Sequence, residues 1–185
     1  MSHYLKYFPC DETGLFWRLM QADGFDTVLR RAGLAIENER NGKIFAHQDK
    51  LDPNALVAGY GILKTEKQQL VSDRDFESIW ARLDKLFVKD HRVNGLGPLY
   101  AYDTAYRIGV SRGFRPKFIY LHAGTAVGAG ALGLDVSGGM IPKTEIVERI
   151  PEFAVLEPYQ LEDVLCLYKD IIGTLYKRKM LLSHF

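Results

Sequence analysis

The spacing of apolar positions changes several times along the chain, and each change marks an element. The clearest run is "SDRDFESIWARLDKLFVKDHR", in which Phe76, Ile79, Trp80, Leu83, Leu86 and Phe87 recur at intervals of three and four. That period puts them on one face of a helix, and the serine and aspartates ahead of Phe76 offer side-chain acceptors for its first turn. A second helical run extends from about Leu99 to Arg112, with Leu99, Tyr102 and Tyr106 on an apolar face and Tyr100, Asp103, Thr104 and Arg107 on a wetter stripe. Ala101 and Ala105 are small and one turn apart, which suits close approach to a neighbouring helix. The tail "LEPYQLEDVLCLYKDIIGTLYKRKM" reads as a last amphipathic helix over about 159–179, with Leu161, Val164, Leu165, Tyr168, Ile171 and Ile172 facing inward.

Elsewhere the pattern is weaker. Leu15, Leu19, Val28 and Leu29 suggest helical faces interrupted near Asp23-Gly24. Asn41-Gly42 separates two short runs that can extend, and this dipeptide favours the positive φ of a hairpin turn, so a small β-hairpin is expected there. In "DPNALVAGYGILKTEKQQLV" the glycines at 59 and 61 leave a helix undecided. "KFIYLH" can form a strand, and "GTAVGAGAL" after it reads as a short small-residue helix packed closely on a neighbour, or as a degenerate second hairpin. No fixed-period repeat, low-complexity linker or composition shift divides the chain. The expected fold is mainly α, a single domain over residues 1–185.

The 185 residues are 47% hydrophobic, enough for a real core and too much for disorder. Cys10 and Cys166, the two cysteines, form no C-x-x-C pair, so neither a disulfide framework nor a zinc site is expected. The five histidines are scattered without H-x-x-x-H spacing, and no metal is expected. The first residues lack a basic stretch followed by an apolar run and a cleavage site, and no apolar run approaches a membrane span. A cytoplasmic protein with no membrane partner is the expectation.

Net charge is +1, which by itself points to no polyanion, but the distribution is uneven. Between Arg82 and Lys117 eight basic residues face three acidic ones, whereas between Glu145 and Asp163 six carboxylates face Arg149 alone. The positive segment holds "HRVNGLGPLYAYDTAYRIG". Gly95 and Gly97 supply backbone angles that side chains resist, Leu96 between them can drop between helices, and Pro98 suits a first helical position. A loop without side chains lets backbone N–H groups reach a phosphate, and the helix that follows adds its positive end. Gly95, Leu96 and Gly97, with Lys89, Arg92, Arg107 and Arg112 beside them, are the candidate DNA-backbone-binding residues.

Val93 before Gly95-Leu96-Gly97, with Ala101 four positions after the second glycine, resembles the helix-hairpin-helix superfamily over roughly residues 78–112. The resemblance implies a unit over about 76–112 that binds DNA backbone without reading sequence. In the base-excision glycosylases of that superfamily a proline and a catalytic aspartate follow some twenty residues on, and Pro116 stands at about that distance. The lysine of the bifunctional members would fall at Leu99 and the aspartate near Leu121, and neither leucine can act as nucleophile or stabilise a cationic sugar. His122 is adjacent and is kept as a candidate functional histidine, with a partly buried, hydrogen-bonded role as its plainer reading.

"GAGALG" at 128–133 matches a dinucleotide fingerprint, but "LDVSGGMIPK" after it breaks the helix that such a site needs, so no cofactor is expected. Tyr100, Tyr102, Tyr106 and Tyr120 could stack on bases or fill a core. The expectation from sequence is a non-specific DNA-backbone-binding protein without catalytic activity of its own. The alternative is a structural or protein-interaction module that uses the hairpin for packing or docking to a protein partner, and a glycosylase-like enzyme comes third.

Overall fold

The computed structural model describes residues 24–38 and 41–182. The helical faces expected at Leu15 and Leu19 lie outside them. The described residues form two compact units that divide between Arg115 and Pro116. No linker composition marks that place, so the sequence reads straight across it. The described chain is mainly helical, with two small two-stranded antiparallel sheets. Among the described residues no helix is long and apolar enough to cross a membrane.

The first unit runs through α1 (Phe25–Gly33), β1 (Ile36–Asn38), β2 (Lys43–Ile44), a 3-10 turn at Ala46–Gln48, α2 (Pro53–Thr65), α3 (Lys67–Ser72), α4 (Phe76–Asp84), a π-helical turn at Lys85–Lys89, and α5 (Pro98–Ser111). The expected β-hairpin is present. Ile36 pairs with Ile44 and Asn38 with Lys43 across an irregular register, and Gly42 takes φ +67°. Lys43 closes the ribbon with an ion pair to Glu37 at 2.6 Å.

The stretch left undecided by its glycines is the helix α2. Asp52 accepts the Asn54 N–H at 2.9 Å and Pro53 fills the first position, so the helix starts on two independent signals. Gly59 is there for space. A Cβ on it would lie 2.5 Å from the Tyr100 hydroxyl and 2.7 Å from Leu96 Cδ1, so α2 can carry the hairpin only where it has no side chain. α4 begins with a reciprocal cap: Asp75 accepts the Ser78 N–H at 3.0 Å and Ser78 Oγ accepts the Asp75 N–H at 3.3 Å. A cap of this kind contributes about 0.5–2 kcal/mol.

α5 packs against both α4 and α1, and this overturns the expected division of its faces. Tyr102 meets Phe76 edge-on at 5.7 Å on one side, while on the other the Tyr100 hydroxyl donates to the Gly33 carbonyl at 2.9 Å. Tyr100, Thr104 and Arg107, expected on the wetter stripe, are buried, and Leu99, expected on the apolar face, is 40% exposed. A helix gripped on two sides buries its polar groups and must satisfy them internally.

The second unit contains β3 (Phe118–Tyr120), α6 (Ala123–Ala131), β4 (Met140–Pro142), α7 (Lys143–Arg149), a 3-10 turn at Pro151–Val155, α8 (Pro158–Leu167) and α9 (Ile172–Leu182). β3 and β4 pair antiparallel with Ile119 opposite Ile141. α6 is the close-packed small-residue helix: a Cβ at Gly128 would overlap the Leu165 carbonyl of α8. Its core gathers Ile119, Leu132, Ile141, Ile146, Leu156, Leu161 and Leu165. The single tail helix expected over about 159–179 is two helices. The chain turns between Leu167 and Ile172, a Cβ on Gly173 would lie 3.0 Å from Ala131, and Ile171, expected inward, is 50% exposed.

Candidate nucleic-acid interface

Phe76–Ser111 holds two packed helices joined by a loop, with the second starting at Pro98. The connection is longer than a tight turn. The Asp90 and Arg92 amides donate to the Lys85 and Leu86 carbonyls at 2.8 and 3.1 Å, and His91 between them takes φ +46°. Gly95 has φ +87°, so the left-handed angle expected of it is present. Gly97 does not share it. At φ −108° and ψ −166° it is extended backbone, and it opens α5 by accepting the Ala101 N–H at 3.1 Å.

Leu96 is 3% exposed, and its seat is the notch left by Gly59 on α2. Burying a leucine side chain contributes about 1.5–3 kcal/mol, so one residue anchors the loop from beneath. Above it Asn94 and Gly95 are exposed and Gly97 is half-buried. Among the described residues the Gly95 and Gly97 amides take no backbone carbonyl. Two amides beside the start of a helix form a weakly positive edge, chemically suited to an anion.

The four basic candidates separate into two pairs. Lys89 and Arg92 lie next to the loop, with side chains 70% and 47% exposed. Each has a carboxylate partner: Lys89 reaches Asp84 at 3.0 Å, and Arg92 is 3.8 Å from Glu66. Lys85, one turn before Lys89, is also exposed.

Arg107 and Arg112 are elsewhere, each committed to contacts within the first unit. Arg107 is 3% exposed. It donates to Gln48 Oε1 at 2.8 Å and to the Ala32 carbonyl at 3.4 Å, lies 3.8 Å from Asp103, and covers the Phe45 ring at 4.2 Å. Gln48 completes the set by donating to Asp103 at 2.9 Å. Burial pushes the Arg107 pKa below its ordinary value, and Asp103 opposes the shift. Arg112 donates to the Leu70 and Val71 carbonyls at 2.6 and 3.0 Å and covers Phe114 at 4.7 Å, closing the end of α3. Arg82 is likewise committed, with two bonds to Asp73 at 2.9 and 3.0 Å that raise its pKa. The local positive balance of the sequence is therefore partly structural.

Tyr100, Tyr102 and Tyr120 are core residues, and Tyr106 stacks on Tyr102 at 6.2 Å. Burial pushes the Tyr100 hydroxyl well above its ordinary range. Sequence reasoning overlooked one feature here. Gln48, Leu51, Pro98, Leu99 and Tyr100 surround a mainly apolar hollow of about 160 Å3 directly beside Gly97. Leu51 and Gln48 come from a loop and turn some fifty residues upstream, and no local period announces such a meeting.

In the second unit, His122 stands before the first turn of α6, half-buried, with Nε2 inside. Thr125 donates to Glu162 at 2.9 Å, and Cys166 lies against Gly124. Burial, with Glu162 next, pushes the Cys166 thiol above its ordinary value, which keeps it protonated and weakly nucleophilic. The expectation of a second hairpin at "GTAVGAGAL" is corrected, because strand β3 rather than a helix precedes α6. Among the described residues no three His, Cys, Asp or Glu side chains meet in a way that could hold a metal ion. Compared with known proteins, the chain matches no family model, no curated protein and no solved structure.

Proposed function

We propose that the first unit binds nucleic-acid backbone, DNA above all, without reading sequence, through the loop at Asn94–Gly97 with Lys85, Lys89 and Arg92. The observation that carries this reading is the loop itself. Leu96 is held beneath, while the amides of the exposed Gly95 and the half-buried Gly97 have no backbone carbonyl of their own among the described residues. Phosphate oxygens can approach amides only where side chains are absent, and the beginning of α5 and three exposed cations add favourable charge. The resemblance to helix-hairpin-helix proteins points the same way. With Arg107 and Arg112 removed from the contact set, about two or three phosphates are neutralised, which gives a log–log salt slope of about −2 to −3. No chemistry is assigned to the positions held by Leu99 and Leu121. A cytoplasmic setting fits this partner.

A second reading rests on the hollow beside Gly97. Its apolar lining and the exposed Leu99 suit an apolar side chain of a protein partner, so the hairpin would dock protein instead.

Fluorescence anisotropy on two unrelated duplexes at several salt concentrations separates the two. Nucleic-acid binding predicts weak, equal affinities on both duplexes. Arg92→Ala weakens both alike and flattens the slope by about one. No association at low salt, or a strong preference for one duplex, overturns the reading and leaves the docking alternative.

A further inference from the structure

Glu66 closes α2 and faces two arginines at once. Its Oε2 is 3.7 Å from Arg82 and its Oε1 is 3.8 Å from Arg92. The two guanidinium groups are held very differently. Arg82 is fixed by two hydrogen bonds to the buried Asp73, and its side chain is 28% exposed. Arg92 sits in the loop before the Gly-Leu-Gly segment with its side chain 47% exposed, and Glu66 is its one ion-pair partner among the described residues.

We propose that Glu66 is a specificity-determining residue that competes with the ligand for Arg92. In the free protein it holds the Arg92 guanidinium back beside Arg82, and a phosphodiester backbone draws that guanidinium away. The inference rests on the nucleic-acid reading of the hairpin and deepens it. Glu66 gives up Arg92 at little cost because Arg82 remains beside it, so the carboxylate is never left alone. Only a ligand that brings more than one negative charge to the hairpin outcompetes a carboxylate already in place. A backbone with phosphates at successive positions does so, because one phosphate can occupy the Gly95–Gly97 amides while its neighbour meets Arg92. A single phosphate offers one group for both places. The hairpin is thereby selective for polymeric phosphate over isolated anions.

A double-mutant cycle tests this with the whole chain, using duplex DNA and inorganic phosphate as probes at low salt. Glu66→Gln is expected to tighten duplex binding by about two- to fivefold, the scale of an exposed ion pair. Arg92→Ala is expected to abolish that gain, so Glu66→Gln has no effect in the Arg92→Ala background. Inorganic phosphate should compete with the duplex more effectively on Glu66→Gln than on wild type. Thermal melts identify any variant whose loss reflects unfolding, and Glu66→Asp serves as a second variant that keeps the charge and should behave as wild type. Wild type that binds duplex while Glu66→Gln shows no gain overturns the competition and leaves the nucleic-acid reading standing. An equal gain with and without Arg92 reduces Glu66 to a general repulsive charge and also overturns it. If no variant binds, the nucleic-acid reading falls and the competition falls with it.

Discussion

Two glycine-rich stretches look alike as text and do different work. At Asn94–Gly97 the glycines stand at the surface, Gly95 for its left-handed φ of +87° and Gly97 with open space where a Cβ would be. In the stretch at 124–133, Gly124 and Gly128 of α6 lie in ordinary helix, and they are there for contact. A Cβ on Gly124 would come within 2.5 Å of Cys166 Sγ, and one on Gly128 would overlap the Leu165 backbone. The first stretch leaves backbone open to its surroundings, and the second brings backbone against backbone. Glycine density alone does not separate an exposed loop from a packing seam, and the flanking residues decide. Proline after Gly97 starts a new helix, whereas alanines around Gly128 continue one.

The sharpest way to break this contrast is at the seam. Gly128→Val should destabilise the second unit by about 3 kcal/mol or more, because the obstacle is main chain and cannot rotate away. Urea unfolding reads the loss, and an unchanged midpoint would mean that α6 and α8 are not in contact as described. Arg107→Ala comes next. It takes a hydrogen-bond donor from the buried Gln48 and a charge partner from the partly exposed Asp103, a loss of about 1–3 kcal/mol. Arg92→Ala should leave thermal stability almost unchanged and act on binding alone. If Arg107→Ala folds normally and weakens DNA binding instead, the assignment of these two arginines is reversed.

Those arginines also show what the sequence made legible. The apolar period of Phe76–Phe87, the Asn41-Gly42 turn and the helix start at Pro98 were all readable, since each is a local signal that its neighbours do not contradict. The position of Arg107 was not. Its place on the wetter stripe suggested a surface side chain, but Arg107 is enclosed because α5 is covered by α1 as well as α4, and nothing within α5 records a second neighbour. For the same reason Gly59 weakened the expectation of a helix at α2. Its purpose, the seat of Leu96 and Tyr100, lies some forty residues away. The break between α8 and α9 escaped because the inward positions Leu161 to Ile172 keep helical spacing across the turn. At the candidate site the positive φ of Gly95 was legible, and the burial of Arg107 was not.

A smaller test lies within the loop. Gly95→Ala forces a side chain into positive φ and should cost about 1–2 kcal/mol, while Gly97→Ala, in extended backbone with open space, should cost less than about 0.5 kcal/mol. Under the proposed function Gly97→Ala still weakens duplex binding, because its methyl group stands where a phosphate would approach the amide. Calorimetry and anisotropy on the same two variants separate the roles. Equal destabilisation would show that the two glycines share one conformational requirement after all.

The smallest expected effect concerns Cys166, at the other stretch. Its thiol lies against Gly124, and burial first, then Glu162, raises its pKa above the ordinary 9.0. The folded state thus favours the protonated thiol. Below the ordinary thiol pKa both folded and unfolded chains keep the proton, and the contribution to stability is fully present. As pH rises past that value the unfolded chain releases its proton first, so the contribution declines until the folded thiol also ionises. In a Cys10→Ser background, alkylation by iodoacetamide should therefore be slow at pH 8 and accelerate only above the pH at which a free thiol does. Gly124→Ala sharpens the test. Its methyl group would crowd the sulfur and loosen the seam, so alkylation should begin at lower pH and proceed faster. A Cys166 that reacts at pH 8 as fast as an unfolded control would mean that the seam is open and that its glycines, like those of the loop, leave their surroundings exposed.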